Sequence, residues 1–345
     1  MGVRDWDERT YRKDGRDSFS SLKLFLEDRN KYYRKNVLGQ NVIEEDENTN
    51  EALRIGSLVD CLLFTPEVLD DKFVTTSSVI PKKQMMDFVQ NLYKRTLLNT
   101  DSSGTVTRGL AELIEDAYDD TKYDKNREIV SFRAKTVEKL KEDFVVKKIG
   151  YDYYLDLRNR GSKIVVTEQE LQNSQKLVDI LRNHRYTKNI LGRKGISQMI
   201  LTGEYEGLDV KCMIDRVIVD EERKEVRAYD LKTTWNVDGF DYNYLKYKYY
   251  LQCALYTEML RLAYPGYTVY PMQFIVTDKI GYMDPVVYTT KEEHVIQGLE
   301  GFGGNIGVKK AIADILYHRQ TGIWSSSADV QRQLGSKEVK LYGRE

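Results

Sequence analysis

Four side chains in the middle of the sequence have types and spacings suited to hydrolytic chemistry. Asp230 and Lys232 lie two residues apart in Tyr-Asp-Leu-Lys-Thr-Thr-Trp (229–235), and Gln252 and Tyr256 lie four apart in Tyr-Tyr-Leu-Gln-Cys-Ala-Leu-Tyr (249–256). In a strand, residues i and i+2 share a face, so the Asp230 carboxylate and the Lys232 ammonium can work on one centre. A carboxylate-bound divalent cation lowers the pKa of its water and screens a phosphodiester. A neighbouring lysine can position that water or stabilise charge growing on phosphorus. Taken alone, Asp-x-Lys is equally what a surface strand with one salt bridge contains.

The preceding segment adds a second carboxylate. Asp-Glu-Glu-Arg-Lys (220–224) reads as a polar turn between two apolar, β-branched runs. With the turn centred between Glu222 and Arg223, facing residues have numbers summing to 445, which sets Asp215 opposite Asp230. Facing carboxylates, about 5 Å apart at Cβ, repel unless a cation lies between them. Hard oxygen donors select Mg2+ or Mn2+ over zinc. A one-residue shift of the turn would break the pairing.

These residues need elements to position them. The text from 196 to 235 reads as antiparallel strands, 239–264 as one long helix ended by Pro265-Gly266, and Tyr-Pro-Met-Gln-Phe-Ile-Val-Thr-Asp-Lys (270–279) as a further strand. Leu245, Tyr249, Gln252, Tyr256, Met259 and Ala263 form one helical stripe. Gln252 is an amide on that apolar stripe and requires partners; Lys246 and Lys248 could meet phosphates. Upstream, serines 18–21 cap a helix, 52–64 is a strongly apolar helix, and Thr167 with Glu170 forms a capping box. The expected organisation is a flexible N-terminal arm (1–17), one domain over 18–325 with a helical insert at about 82–160, and a polar tail (326–345). The order of elements implies an α/β fold with a mixed sheet flanked by helices.

Composition excludes other classes. With 53 basic and 54 acidic residues in 345, the chain has no global basic coat, although a local basic groove is compatible with that balance. Cys61, Cys212 and Cys253 are far apart, which disfavours a zinc ribbon or iron–sulfur cluster and suits buried thiols in a reducing, cytoplasmic compartment. No apolar run approaches a membrane span, and the charged N-terminus has no signal core.

Asp215, Ala-Tyr-Asp-Leu-Lys-Thr-Thr (228–234) and the Gln252/Tyr256 helix, in this order, resemble the PD-(D/E)XK nucleases of the RecB-like group, most closely the phage and prophage RecE (exonuclease VIII) type. The opening Ser-x-Ser helix and the Ile-Gly-Ser-Leu-Val-Asp-Cys segment (55–61) followed by Pro-Glu agree. So do the helix over 167–191 and the strand over 208–219. The resemblance implies a restriction-endonuclease-like core and a Mg2+- or Mn2+-dependent DNA exonuclease resecting double-stranded ends 5′ to 3′ for phage-type recombination. It implies Asp215 and Asp230 as metal ligands, the Leu231 carbonyl as a further one, Lys232 as the catalytic lysine, and Gln252 and Tyr256 supporting the site or touching DNA. Lys246, Lys248 and Tyr249 are the expected DNA contacts. A single-strand annealing protein and a homo-oligomer are the expected partners.

Two positions depart from the family pattern. Asp60 stands where relatives keep a histidine, and an aspartate there can still bind Mg2+. On the strand before Asp215, where relatives often carry a glutamate, Gln198 falls near the slot and Glu204 lies closer to the turn. His184, His294 and His318 are not expected ligands. A structure-selective or single-strand endonuclease of the same fold, and a non-catalytic DNA-binding module, are the alternative functions.

Overall fold

The structure, a computed structural model, describes residues 1–40, 50–82, 84–122 and 137–333. The acidic segment 41–49, part of the expected insert (123–136) and the end of the expected tail (334–345) lie outside the described residues. The chain divides into two compact units, 1–44 with 180–345, and 45–179. The second unit is wider than the expected insert at 82–160, and it takes in the helix that carries Asp60.

Strand β1 (Gly2–Arg4) opens the first unit, and β2 (Phe73–Thr76) and β3 (Ile164–Thr167) form a parallel pair in the second. The second unit is otherwise helical, with helices at Glu51–Phe64, Gln84–Leu98, Leu110–Lys122 and Tyr151–Asn159. Its core is aromatic and aliphatic, including Phe88, Leu92, Leu113, Phe144 and Tyr154. The capping box forms: Glu170 Oε2 accepts from the Thr167 amide at 2.8 Å, and Thr167 Oγ1 accepts from the Glu170 amide at 3.0 Å. Glu170 also holds the buried Arg54 at 2.6 Å.

The first unit is a mixed sheet with helices. After β1 come β4 (Ile196–Tyr205), β5 (Leu208–Asp220), β6 (Glu225–Thr234), β7 (Thr268–Val269), β8 (Gln273–Asp278) and β9 (Val286–Tyr288), in spatial order β1-β4-β5-β6-β8-β9 with β7 also on β6. β6 runs antiparallel to β5 and parallel to β8. A parallel neighbour needs a crossover, which the helix Tyr249–Ala263 supplies. That helix is buried on nearly every side, from Tyr250 through Thr257 and again at Met259 and Leu260. It lies in one core with Leu22, Phe25, Ile214, Phe274, Val295 and Ile312, and Gly298 gives the helix Glu292–Glu300 its close approach, since a Cβ there would come within 2.4 Å of the Tyr250 carbonyl.

Three expectations about elements change. Residues 1–17, expected as a flexible arm, are ordered: β1 pairs with β4, Glu8–Lys13 is a helix capped by Asp7, and the Lys211 ammonium donates to the carbonyls of Tyr11 and Asp14, each at 2.6 Å. Much of the docking runs through backbone groups, so the charged composition of this segment does not announce it. The expected long helix over 239–264 is two helices, Phe240–Lys246 and Tyr249–Ala263, because Lys248 between them is left-handed (φ 58°). The expected polar tail begins with a helix, Ala328–Arg332, tied back by Lys310 to Asp329 (2.9 Å) and by Arg332 to Asp314 (2.9 Å).

Candidate active site

β6 carries half of the site. Val226 and Ala228 face the core, and the parity of the strand gives Asp230 and Lys232 the same face. Their register partners on β8 are Phe274 and Val276, both core residues. Asp230 is only 3% exposed, so its charge must be matched. Gln252 Nε2 donates to Asp230 Oδ1 at 2.6 Å, and Lys232 Nζ lies 2.5 Å from Asp230 Oδ2. The amide on the apolar stripe of the helix therefore has its partner: it is the carboxylate.

Lys232 is held from below as well. Its ammonium lies 4.6 Å from the centre of the Tyr249 ring, which is stacked on Phe240 at 5.8 Å and 18°. Burial lowers the lysine's proton affinity, but the charges of Asp230 and Asp215 and the Tyr249 oxygen outweigh it, and the pKa lies above the ordinary lysine value. These charges hold the side chain as a cation.

Asp215 reaches the site by another route. The β5–β6 ladder runs from Asp220↔Glu225 to Arg216↔Tyr229, the register with numbers summing to 445. One step beyond the last pair are Asp215 and Asp230. There Asp215 Oδ2 accepts the backbone N–H of Leu231 at 2.7 Å, so a side chain continues the bonding where the ladder stops. On its other side, the pairs Ser197↔Arg216 and Met199↔Ile214 flank Gln198, which faces Asp215 and is left-handed (φ 50°). The alternation of β5 changes at this point. Leu208, Val210, Cys212 and Ile214 are core residues, and the next is Val217. Unbroken alternation would turn Asp215 to the opposite face; the interruption gives it the parity of Val217. Irregularities of this kind re-aim side chains beside active sites. Gln198 Nε2 stands 3.5 Å from Asp215 Oδ1.

Tyr256, one helical turn beyond Gln252, is buried. Burial raises its phenol well above the ordinary value, with Tyr11, Cys212, Asp230 and Asp215 adding to the rise, so it stays a neutral hydroxyl within electrostatic reach of both carboxylates.

The structure therefore brings together Asp215, Asp230, Leu231, Lys232, Gln252, Tyr256 and Tyr249. Lys246 is on the adjoining helix, where its ammonium lies 5.6 Å from the Tyr242 ring and 5.3 Å from the Tyr247 ring. Lys248 caps the next helix and is 3.5 Å from Glu27. Asp60 is half-buried on Glu51–Phe64 in the second unit. Glu204 pairs with Asp209, six residues along β4 from Gln198 and thus about 20 Å away, which removes it as a ligand. His184 lies 3.3 Å from Asp284, and His318 is buried against Trp324. Sequence reasoning missed the left-handed turn at Gln198, for which a glutamine gives no signal, and the Phe240 platform. The aromatic density of 240–250 was the available clue to the latter.

Among the described residues there is no cluster of three or more His, Cys, Asp or Glu side chains suited to a metal. Two convergent carboxylates remain compatible with Mg2+, which usually keeps several waters and binds through one or two carboxylates. A further observation fits that donor set: Gln252 Oε1 is buried beside Asp230 without a hydrogen-bond donor.

This site falls within a match to known proteins. Residues 18–318 match the profile of a PDDEXK-like domain of unknown function (DUF3799), so the chain belongs to that family. Among solved structures it is similar to one from Eubacterium rectale named "Putative exonuclease". The two are 14% identical, the match covers 99% of this chain and 97% of that one, and the TM-score is 0.50, a likeness of fold. No curated protein matches the sequence. The fold is thus the expected α/β PD-(D/E)XK core.

Proposed function

We propose that the protein is a Mg2+- or Mn2+-dependent DNA exonuclease that resects double-stranded ends, in the 5′ to 3′ direction, for phage-type recombination or replication. The observation that carries this reading is the convergence of Asp215, Asp230 and Lys232 from β5 and β6 with the Gln252 amide from the crossover helix. Asp215 and Asp230 would hold the metal, with the Leu231 carbonyl; Asp60 as an additional ligand rests on the family resemblance alone. When bound, the metal supplies an acidified water and screens the phosphodiester charge. Lys232, kept cationic by its carboxylates, stabilises charge growing on the scissile phosphate. Gln252 fixes the rotamer of Asp230, and Tyr256, buried one helical turn on, stays protonated as a neutral hydroxyl. Lys246, Lys248 and Tyr249 would contact the DNA, and the strand left by resection would pass to an annealing protein.

The test is digestion of linear duplex DNA labelled at either the 5′ or the 3′ end, alongside covalently closed circles, with Mg2+ or Mn2+. Early release of the 5′ label from linear DNA, with circles untouched, is the expected result. Cutting of closed circles would instead make it an endonuclease. Intact linear DNA with both metals would overturn the enzymatic reading.

A further inference from the structure

A chain of ring and ammonium contacts leads outward from Lys232. The Tyr249 ring beneath that lysine lies 5.8 Å from the Tyr247 ring. Tyr247 is flanked by two further ammonium groups, Lys23 at 5.4 Å and Lys246 at 5.3 Å, and Lys246 also lies 5.6 Å from Tyr242. Tyr242 and Lys246 are four apart on the helix Phe240–Lys246 and so share a face. Burial falls along the path: Tyr249 is half-buried, Tyr247 is 38% exposed and Tyr242 is 68% exposed. An aromatic ring left this open costs solvation without contributing to the core, and here it is held beside lysines.

We propose that Tyr242, Lys246, Tyr247 and Lys23 form a track for a single DNA strand, on which unpaired bases stack while the lysines meet the phosphates. The proposal rests on the nuclease reading above and adds to it the form of DNA that the surface takes. Two features favour a single strand over duplex. Ring faces can be stacked on only by bases that have left their own stack, and each such contact is worth about 1–3 kcal/mol irrespective of base identity. Lysines interleaved with rings match the alternation of phosphate and base along one strand. The track is continuous with Lys232 through Tyr249, so a strand lying on it is directed toward Asp215 and Asp230. Lys248 does not belong to it, because its ammonium faces Glu27.

The experiment measures binding of fluorescein-labelled oligothymidylate and of a blunt duplex of equal length, in EDTA at fixed salt, by anisotropy. Tyr242→Ala and Tyr247→Ala should each weaken single-strand binding about tenfold, with duplex binding changed less than twofold. Tyr242→Phe and Tyr247→Phe, which keep the ring, should restore it. Lys246→Ala should lower the salt dependence of single-strand binding by about one phosphate contact. Digestion of linear duplex by the unaltered protein in Mg2+ is followed in parallel. If that digestion proceeds while the alanine variants bind the oligonucleotide normally, or lose single-strand and duplex binding equally, the track is refuted and the nuclease reading stands. If the unaltered protein neither binds nor digests DNA, both fall.

Discussion

Adjacent strands β5 and β6 each turn one interior carboxylate, Asp215 and Asp230, toward the site, and they hold it in opposite ways. Asp230 lies in regular strand geometry and is fixed by side chains, the Gln252 amide at 2.6 Å and the Lys232 ammonium at 2.5 Å. Asp215 lies where regular geometry fails and is fixed by backbone, the Leu231 N–H at 2.7 Å and the left-handed turn of Gln198 across from it. The first depends on residue types brought in from a helix; the second depends on a local departure from pairing that any residue tolerant of positive φ could provide. Asp230 is therefore positioned by side chains, and Asp215 chiefly by the backbones of β6, at Leu231, and β4, at Gln198.

Substitutions can break this contrast one side at a time. The largest effect is expected for Asp230→Asn, which removes a charge that would hold the metal and the ionic partner of Lys232: digestion of end-labelled linear duplex should fall by about 10³-fold or more, with the circular dichroism spectrum of the folded protein retained. A smaller loss should follow Gln198→Val. A β-branched residue at φ 50° costs on the order of 1–2 kcal/mol and pushes β4 and β5 back toward regular alternation. Activity should drop about a hundredfold, roughly what a misplacement of about 1 Å costs. Gln198→Gly, which accepts that backbone freely, should retain most activity; equal losses in the two variants would show that the amide, not the backbone, matters. The mildest effect is expected for Gln252→Leu. Leaving Asp230 Oδ1 without its donor should cost about 1–3 kcal/mol in a denaturant titration and about tenfold in rate, and an unchanged unfolding midpoint would contradict the role given to the amide.

The same contrast explains what could be read from the sequence. The β5–β6 register was legible because its turn is a short polar run between apolar strands, which fixes the pairing by counting. Gln252 was legible as an amide on an apolar stripe, a conflict that its partner resolves. The reversal of parity at Asp215 was not, since it depends on the backbone of Gln198 and no composition marks it. Lys248 was overlooked as a helix break for the same reason: lysine is an ordinary helix former, and only its left-handed backbone separates Phe240–Lys246 from Tyr249–Ala263. The assignment of the helix Glu51–Phe64 to the second compact unit, 45–179, had no mark in the sequence, because its apolar text reads like that of any core helix.

The pairing of β1 with β4 also closes one edge of the sheet. Gly2–Arg4 occupies the outer edge of β4, with Arg4 Nε also donating to Thr202 Oγ1 at 2.7 Å. Loss of the first sixteen residues, by proteolysis for example, would bare a row of unpaired N–H and C=O groups along an apolar strand. It would also strand the buried Lys211 ammonium without the two carbonyls that satisfy it. A bare edge of that kind is a template for pairing with other chains, so loss of these residues would open the sheet to edge-to-edge aggregation.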